Sequence, residues 1–173
     1  YEANVPEIIS DYRGAGRHSN LEKKKKYGLR PTILLETECG NIIIRLDGYY
    51  APFTTDAFLS AIERGFYNGL NFHRVVPNFV VQGGDPRGDG WGGPGYTLLT
   101  ERSPIEFNCG AVGMVRTEYD TEGSQFFITL TDQPQLHYQY TRFGEVICGM
   151  DVVKRLEAGD RILAISVVTI DER

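Results

Sequence analysis

Cysteine is nearly absent from this 173-residue chain. Cys39, Cys109 and Cys148 are its only three, widely spaced and without a C-x-x-C pair, which excludes a disulfide framework and a zinc knuckle and leaves free thiols. Histidine is as scarce: His18, His73 and His137 form no H-E-x-x-H or related ligand spacing. His73, alone in an apolar run, reads as a structural hydrogen-bonder. A basic excess is missing too. With 18 Lys and Arg against 23 Asp and Glu the formal net charge is -5, which argues against nucleic acid or an anionic membrane surface as the main partner. No stretch reaches the ~18 to 20 apolar residues of a membrane span. The start YEANVPEII lacks the order of a signal peptide, and there is no initiator Met. The chain therefore reads as a processed or excised piece whose compartment stays open.

What is present is the composition of a folded domain: 41% hydrophobic, 12% aromatic and 24% charged residues, enough to bury one full core. Residues 1–31 read as a polar, basic extension or linker, with the Lys23 to Lys26 run as a solvated helix end. The domain is expected over 32–173. TILLETECGNIIIRL reads as a β-hairpin that turns at Cys39-Gly40, with the glycine at positive φ. APFTTDAFLSAIERGFY places Ala57, Phe58, Ala61 and Ile62 on one helical face, with Thr54 or Thr55 as cap and Gly65 as terminator. FHRVV, FVVQG, AVGMV, QFFITL, TRFGEVI and ILAISVVTI are short apolar runs between turn residues, and each reads as a strand. GMDVVKRLEAG puts Met150, Val153 and Leu156 on one face of a second helix closed by Gly159. Eight strands and two helices, too closely spaced for repeated βαβ crossovers, predict a mainly β fold: an eight-stranded antiparallel closed β-barrel capped by two α-helices.

The glycine-rich stretch GGDPRGDGWGGPG (83–95) matches G-x-G-x-x-G at Gly88, Gly90 and Gly93, but Pro94-Gly95 follows and cannot open the helix that a dinucleotide fold needs. Its Arg-Gly-Asp tripeptide is short enough to arise by chance. Ser124 lies in G-S-Q-F-F, not in a G-x-S-x-G elbow. No hydrolytic triad or metal ligand set emerges, and no cofactor is expected.

Two segments carry a resemblance: FHRVVPNFVVQGGD (72–85), continuing to Tyr96, and GMVRTEYDTEGSQFFITL through FGEVICGMDVV (113–153). Together they resemble the cyclophilin family of peptidyl-prolyl cis-trans isomerases, over roughly residues 32 to 171. PRGDGWGGPGY and QFFITLTDQP are most similar to bacterial members, including domains that end longer proteins, which would place the chain in the bacterial periplasm, cell envelope or cytoplasm.

The resemblance implies an isomerase acting on X-Pro bonds and assisting protein folding, with proline-containing peptides or proteins as partners. It puts Arg74, Gln82 and Phe127 at catalytic positions and Phe79, Val80, Val115, Arg116, Gln135, Leu136 and Tyr140 at substrate-binding ones. Val80 and Val115 stand where the family often has Met and Ala, Arg116 where Asn is usual, and Tyr140 where His is common. Gln135 replaces the aromatic residue of the pocket rim, so weak cyclosporin binding is expected. The altered LHYQY loop keeps a second reading open, that of a module that captures proline segments without useful turnover.

Overall fold

Period-two alternation decides which face of each strand enters the core. The computed structural model describes residues 26 to 168. In β1 (Thr32–Thr37) Ile33 and Leu35 are fully buried, as are Ile42, Ile44 and Leu46 in β2 (Gly40–Leu46), while the residues between them are more open. The hairpin pairs Thr37 with Gly40, and Gly40 has φ +132°, a conformation that favours glycine.

Six further strands follow: β3 (Arg74–Val76), β4 (Val80–Gly83), β5 (Ala111–Met114), β6 (Phe126–Thr129), β7 (Arg142–Cys148) and β8 (Ile162–Val168). They form one antiparallel sheet in the order β3-β4-β6-β5-β7-β2-β1-β8. The sheet is strongly curled, but the expected closure is overstated. β3 is three residues long and does not pair with β8; a single bridge between Asn71 and Arg161, just ahead of β3, spans the seam. Bonds from Phe72 N–H to Asp160 O (2.9 Å) and from Ile162 N–H to Leu70 O (2.8 Å) flank it.

Helix α1 (Pro52–Glu63) buries the expected face of Ala57, Phe58, Ala61 and Ile62. Its start differs from the expectation. Pro52 opens the helix after Ala51, and Thr54 and Thr55 lie buried inside the first turn, where proline's fixed φ suits the first position. The cap is distant in sequence: the Glu101 carboxylate accepts the N–H groups of Phe53 (3.1 Å) and Thr54 (2.7 Å). Helix α2 (Met150–Val153) is a single turn, shorter than the run to Gly159. After it the Asp160 carboxylate accepts the Glu157 N–H at 2.7 Å and turns the chain toward β8. Phe58, Tyr67, Phe72, Phe126 and Phe143 pack edge-on or tilted against one another at the centre of the core.

Of the N-terminal segment, residues 1–25, and most of the lysine run with them, lie outside the described residues. The rest is fastened to the barrel: Leu46 donates to Pro31 O (2.8 Å), Gly48 to Leu29 O (2.9 Å), and Lys26 pairs with Glu63 (3.0 Å). The last two positions expected in β8, 169 and 170, also lie outside. Among the described residues no helix is long and apolar enough to cross a membrane.

One buried acid is linked to the residue that caps α1. Glu122 is fully buried, and its Oε1 accepts the Thr141 hydroxyl at 2.9 Å, while Oε2 makes no hydrogen bond within 3.5 Å among the described residues. The same hydroxyl oxygen accepts the N–H of Glu101, the residue that caps α1. Burial raises the Glu122 carboxyl from 4.5 to about 7, against the lowering effect of Thr141 and, less, of the Thr100 hydroxyl. Between those two values the folded chain holds a proton that the unfolded chain has released. Stability contributed by this group is therefore present at low pH and lost as the pH rises through the window. Glu122→Gln is expected to flatten that decline, so its melting temperature should gain on the parent's between about pH 5 and about pH 8. Parallel pH profiles for the two proteins would show that Glu122 does not titrate there.

Candidate active site

Strand register assembles the site. Arg74 on β3 is paired with Gln82 on β4, and Gln82 with Phe127 on β6. Directly opposed residues share a face of a sheet, so a guanidinium, an amide and a phenyl ring line up across three strands. Phe127 is paired in turn with Gly113 on β5. A Cβ at Gly113 would overlap the Phe127 ring and sit 2.7 Å from Phe107, so only glycine lets the two rings stack there, 5.6 Å between centroids.

These rings belong to a small apolar cluster apart from the main core: Val80, Phe107, Ala111, Phe127 and Leu136, with Phe79, Val115 and Tyr140 packed at its edge. Tyr140 meets Phe127 edge to face at 5.7 Å. Above the cluster opens a cavity of about 180 Å³, lined by Arg74, Phe79, Val80, Gln82, Val115, Arg116, Phe127, Leu136 and Tyr140. Nine of the ten residues expected at the site meet here. Gln135 does not: it sits exposed in the middle of the 3₁₀ turn Pro134–Leu136, its amide turned to Gln133 Oε1.

A relay of side-chain amides sets the guanidinium. Arg74 Nη1 donates to Gln82 Oε1 (3.3 Å), Gln82 Nε2 to Gln125 Oε1 (3.2 Å), and Gln125 Nε2 to the carbonyls of Gly90 (3.0 Å) and Gly92 (2.8 Å). Gln125 lies in the G-S-Q-F-F motif, whose resemblance assigns a role to Phe127 and none to the glutamine. The signal was its position two residues before Phe127, on the same face of the chain.

The carbonyls that end the relay belong to the glycine-rich loop, which folds round Asp85. That carboxylate is 1% exposed and accepts the N–H groups of Arg87 (2.8 Å) and Gly90. Burial pushes the Asp85 carboxyl up, but the amides of Arg87, Gly90 and Gly92 outweigh it and hold it below the usual range. A Cβ at Gly92 would overlap Asp85 Oδ1. Arg87 pairs with Asp89 at 2.6 Å. The stretch is neither a phosphate cradle nor the start of a helix. His73, beside Arg74, departs from its expected role: neither ring nitrogen has a partner among the described residues, and burial lowers its pKa.

A second cavity of about 340 Å³ adjoins the first and shares Val115 and Arg116 with it; Trp91, Tyr96, Thr97, Thr117, Thr121 and Gln125 are among its other walls. The profile of the cyclophilin type peptidyl-prolyl cis-trans isomerase/CLD family matches residues 32–171. The chain belongs to the cyclophilin family. The cyclophilin fold also accounts for its solved neighbours: a cyclophilin type isomerase of Cryptosporidium parvum superposes with a TM-score of 0.77 at 27% identity, covering 82% of this chain and 99% of that one. The same protein in the presence of the dipeptide Ala-Pro gives 0.75. Among cyclophilin sequences, a peptidyl-prolyl cis-trans isomerase of Synechococcus elongatus is 42% identical over 79% of this chain and 95% of its own length. Peptidyl-prolyl cis-trans isomerase B of Bacillus subtilis is 47% identical over 64% of this chain and 78% of its own length. An isomerase-like 1 protein of the fungus Rhizopus delemar reaches 39%, so the likeness is not confined to bacteria.

In this cyclophilin Asp85→Ala is expected to lose about 3 kcal/mol of stability, since each hydrogen bond to a buried charge carries roughly 1.5 to 3 kcal/mol. Its isomerase turnover should fall with it, because the loop carbonyls that hold Gln125 move. Denaturant titration and a peptide assay matching the parent would show that the loop holds its shape without the carboxylate.

Proposed function

We propose that a proline-containing segment seats its pyrrolidine ring in the 180 Å³ cavity, and that Arg74 drives rotation about the X-Pro bond. The observation that carries this is the Arg74 guanidinium, held by an amide relay beside the apolar side chains of Phe79, Val80, Phe127 and Leu136 in one cavity. The X-Pro bond is kept planar by resonance, with a barrier of ~18 to 20 kcal/mol, and turns over unaided in tens to hundreds of seconds. Nothing has to be broken, so catalysis needs only a site that fits the twisted amide better than either planar form.

In that twisted form the prolyl nitrogen regains its lone pair. Arg74 donates toward it, and a charged donor beside an apolar wall acts in a low local dielectric where its field is strong. Gln82 and Gln125 keep Arg74 from rotating away, so little reorganisation is required as the bond turns. Phe79, Val80, Phe127 and Leu136 grip the ring while the segment before it swings. The Ala-Pro dipeptide named with the Cryptosporidium protein is the smallest ligand of this kind. A capture-only role is not favoured, because Arg74, Gln82 and Phe127 stand together with their supports intact. The wider role is assistance of protein folding, without nucleic acid as partner.

Arg74→Ala and Arg74→Lys are expected to lower kcat/KM on an Ala-Pro peptide roughly ten- to a thousandfold, the range for a lost transition-state donor. A protease-coupled assay in which either variant keeps the parent's rate would reject the role of Arg74. Cyclosporin should bind weakly, since Gln135 lies outside the cavity lining, and Gln135→Trp should tighten it. Nanomolar affinity of the parent by calorimetry would show that position 135 is not decisive.

A further inference from the structure

Among the described residues the two adjoining cavities are lined by only two charged side chains, Arg74 and Arg116, and by no carboxylate. This is a cationic groove in a chain of formal net charge -5. Neighbouring acids are held elsewhere: Asp89 by Arg87 and the Trp91 N–H, Asp120 by the Thr100 N–H. Glu122 is fully buried, and Glu118 lines neither cavity.

Arg116 stands on the wall common to both cavities and is fixed in place. Its Nε donates to Gln139 O at 2.7 Å, and its guanidinium lies 3.8 Å from the Tyr119 ring centre and 4.9 Å from that of Tyr140. Tyr119 is itself tied down by a 2.8 Å bond from its hydroxyl to Gln139 Oε1, and Arg102 covers it at 5.3 Å. Among the described residues Arg116 has no carboxylate partner. A stacked, pre-ordered guanidinium with terminal N–H groups to spare is a fork matched to a carboxylate, and little side-chain entropy remains to be lost on binding.

We infer that Arg116 is a specificity-determining residue that selects proline segments carrying an acidic side chain. With the ring in the first cavity, a carboxylate within about three residues of the proline reaches the shared wall, at ~3.3 Å of chain per residue. The inference rests on the placement of proline in the first cavity.

The test is a panel of Ala-Pro peptides with Glu, Gln or Lys at each of the three positions on either side of the dipeptide. Isomerisation is read by NMR exchange for the full chain and for Arg116→Gln. At one position or more the parent is expected to favour Glu over Lys by about tenfold in kcat/KM, the preference shrinking as salt rises from about 0.05 M to about 0.5 M. In Arg116→Gln the ratio should fall to within about twofold of unity. A parent that turns over the Gln peptides but treats Glu and Lys alike, or a preference that survives in Arg116→Gln, overturns this inference and leaves the isomerase reading standing. A parent that turns over none of the peptides overturns both.

Discussion

The Asp85 carboxylate, shut away from water, is the interaction on which the groove depends. A buried charge is tolerated only where hydrogen bonds replace its hydration, and here the replacements come from backbone amides of one short loop. Satisfying Asp85 bends the loop inward. Its carbonyls then point at Gln125, whose amide aligns Gln82, whose oxygen holds Arg74. A requirement of burial is thus converted, through three side chains, into the aim of one guanidinium. Gly92 is part of the same constraint, because any side chain there would occupy the place of the carboxylate.

The apolar residues divide into two clusters with different tasks. The larger fills the barrel, with α1 over one side and the aromatic group around Phe126 at its centre. The smaller, around Phe107 and Phe127, lies beneath the groove. β6 serves both: Phe126 faces the first and Phe127 the second, as strand alternation demands. The site thereby stands on the same strand that anchors the core. Rigidity of this kind suits a reaction whose catalysis lies in fit to a twisted amide and not in bond-making.

Much of this was legible in the chain. All eight strands follow from short apolar runs and their turn residues, and nine of the ten expected site residues share one cavity. The departures have a common cause. Thr54 and Thr55 have the chemistry of a cap, but Glu101 takes the helix amides from 47 residues away. Gly159 looks like the end of a helix, but Asp160 turns the chain once α2 has made a single turn. Gln135 occupies a rim position by motif, but Gln133 draws its amide aside. Barrel closure was expected from strand number, whereas it is limited by the three-residue length of β3.

Local periodicity and turn chemistry act over a few residues, so the sequence by itself determined the strands, the first hairpin, the buried face of α1 and the motif that carries Arg74, Gln82 and Phe127. Tertiary structure alone decided the partners of buried polar groups: the Glu101 cap, the link from Thr141 to Glu122, the seat of Gln125 on the loop carbonyls, and the clamp on Arg116. A polar group taken out of water must find some partner, but which one depends on strands brought together from distant parts of the chain. Nothing in the spacing of residues records that meeting.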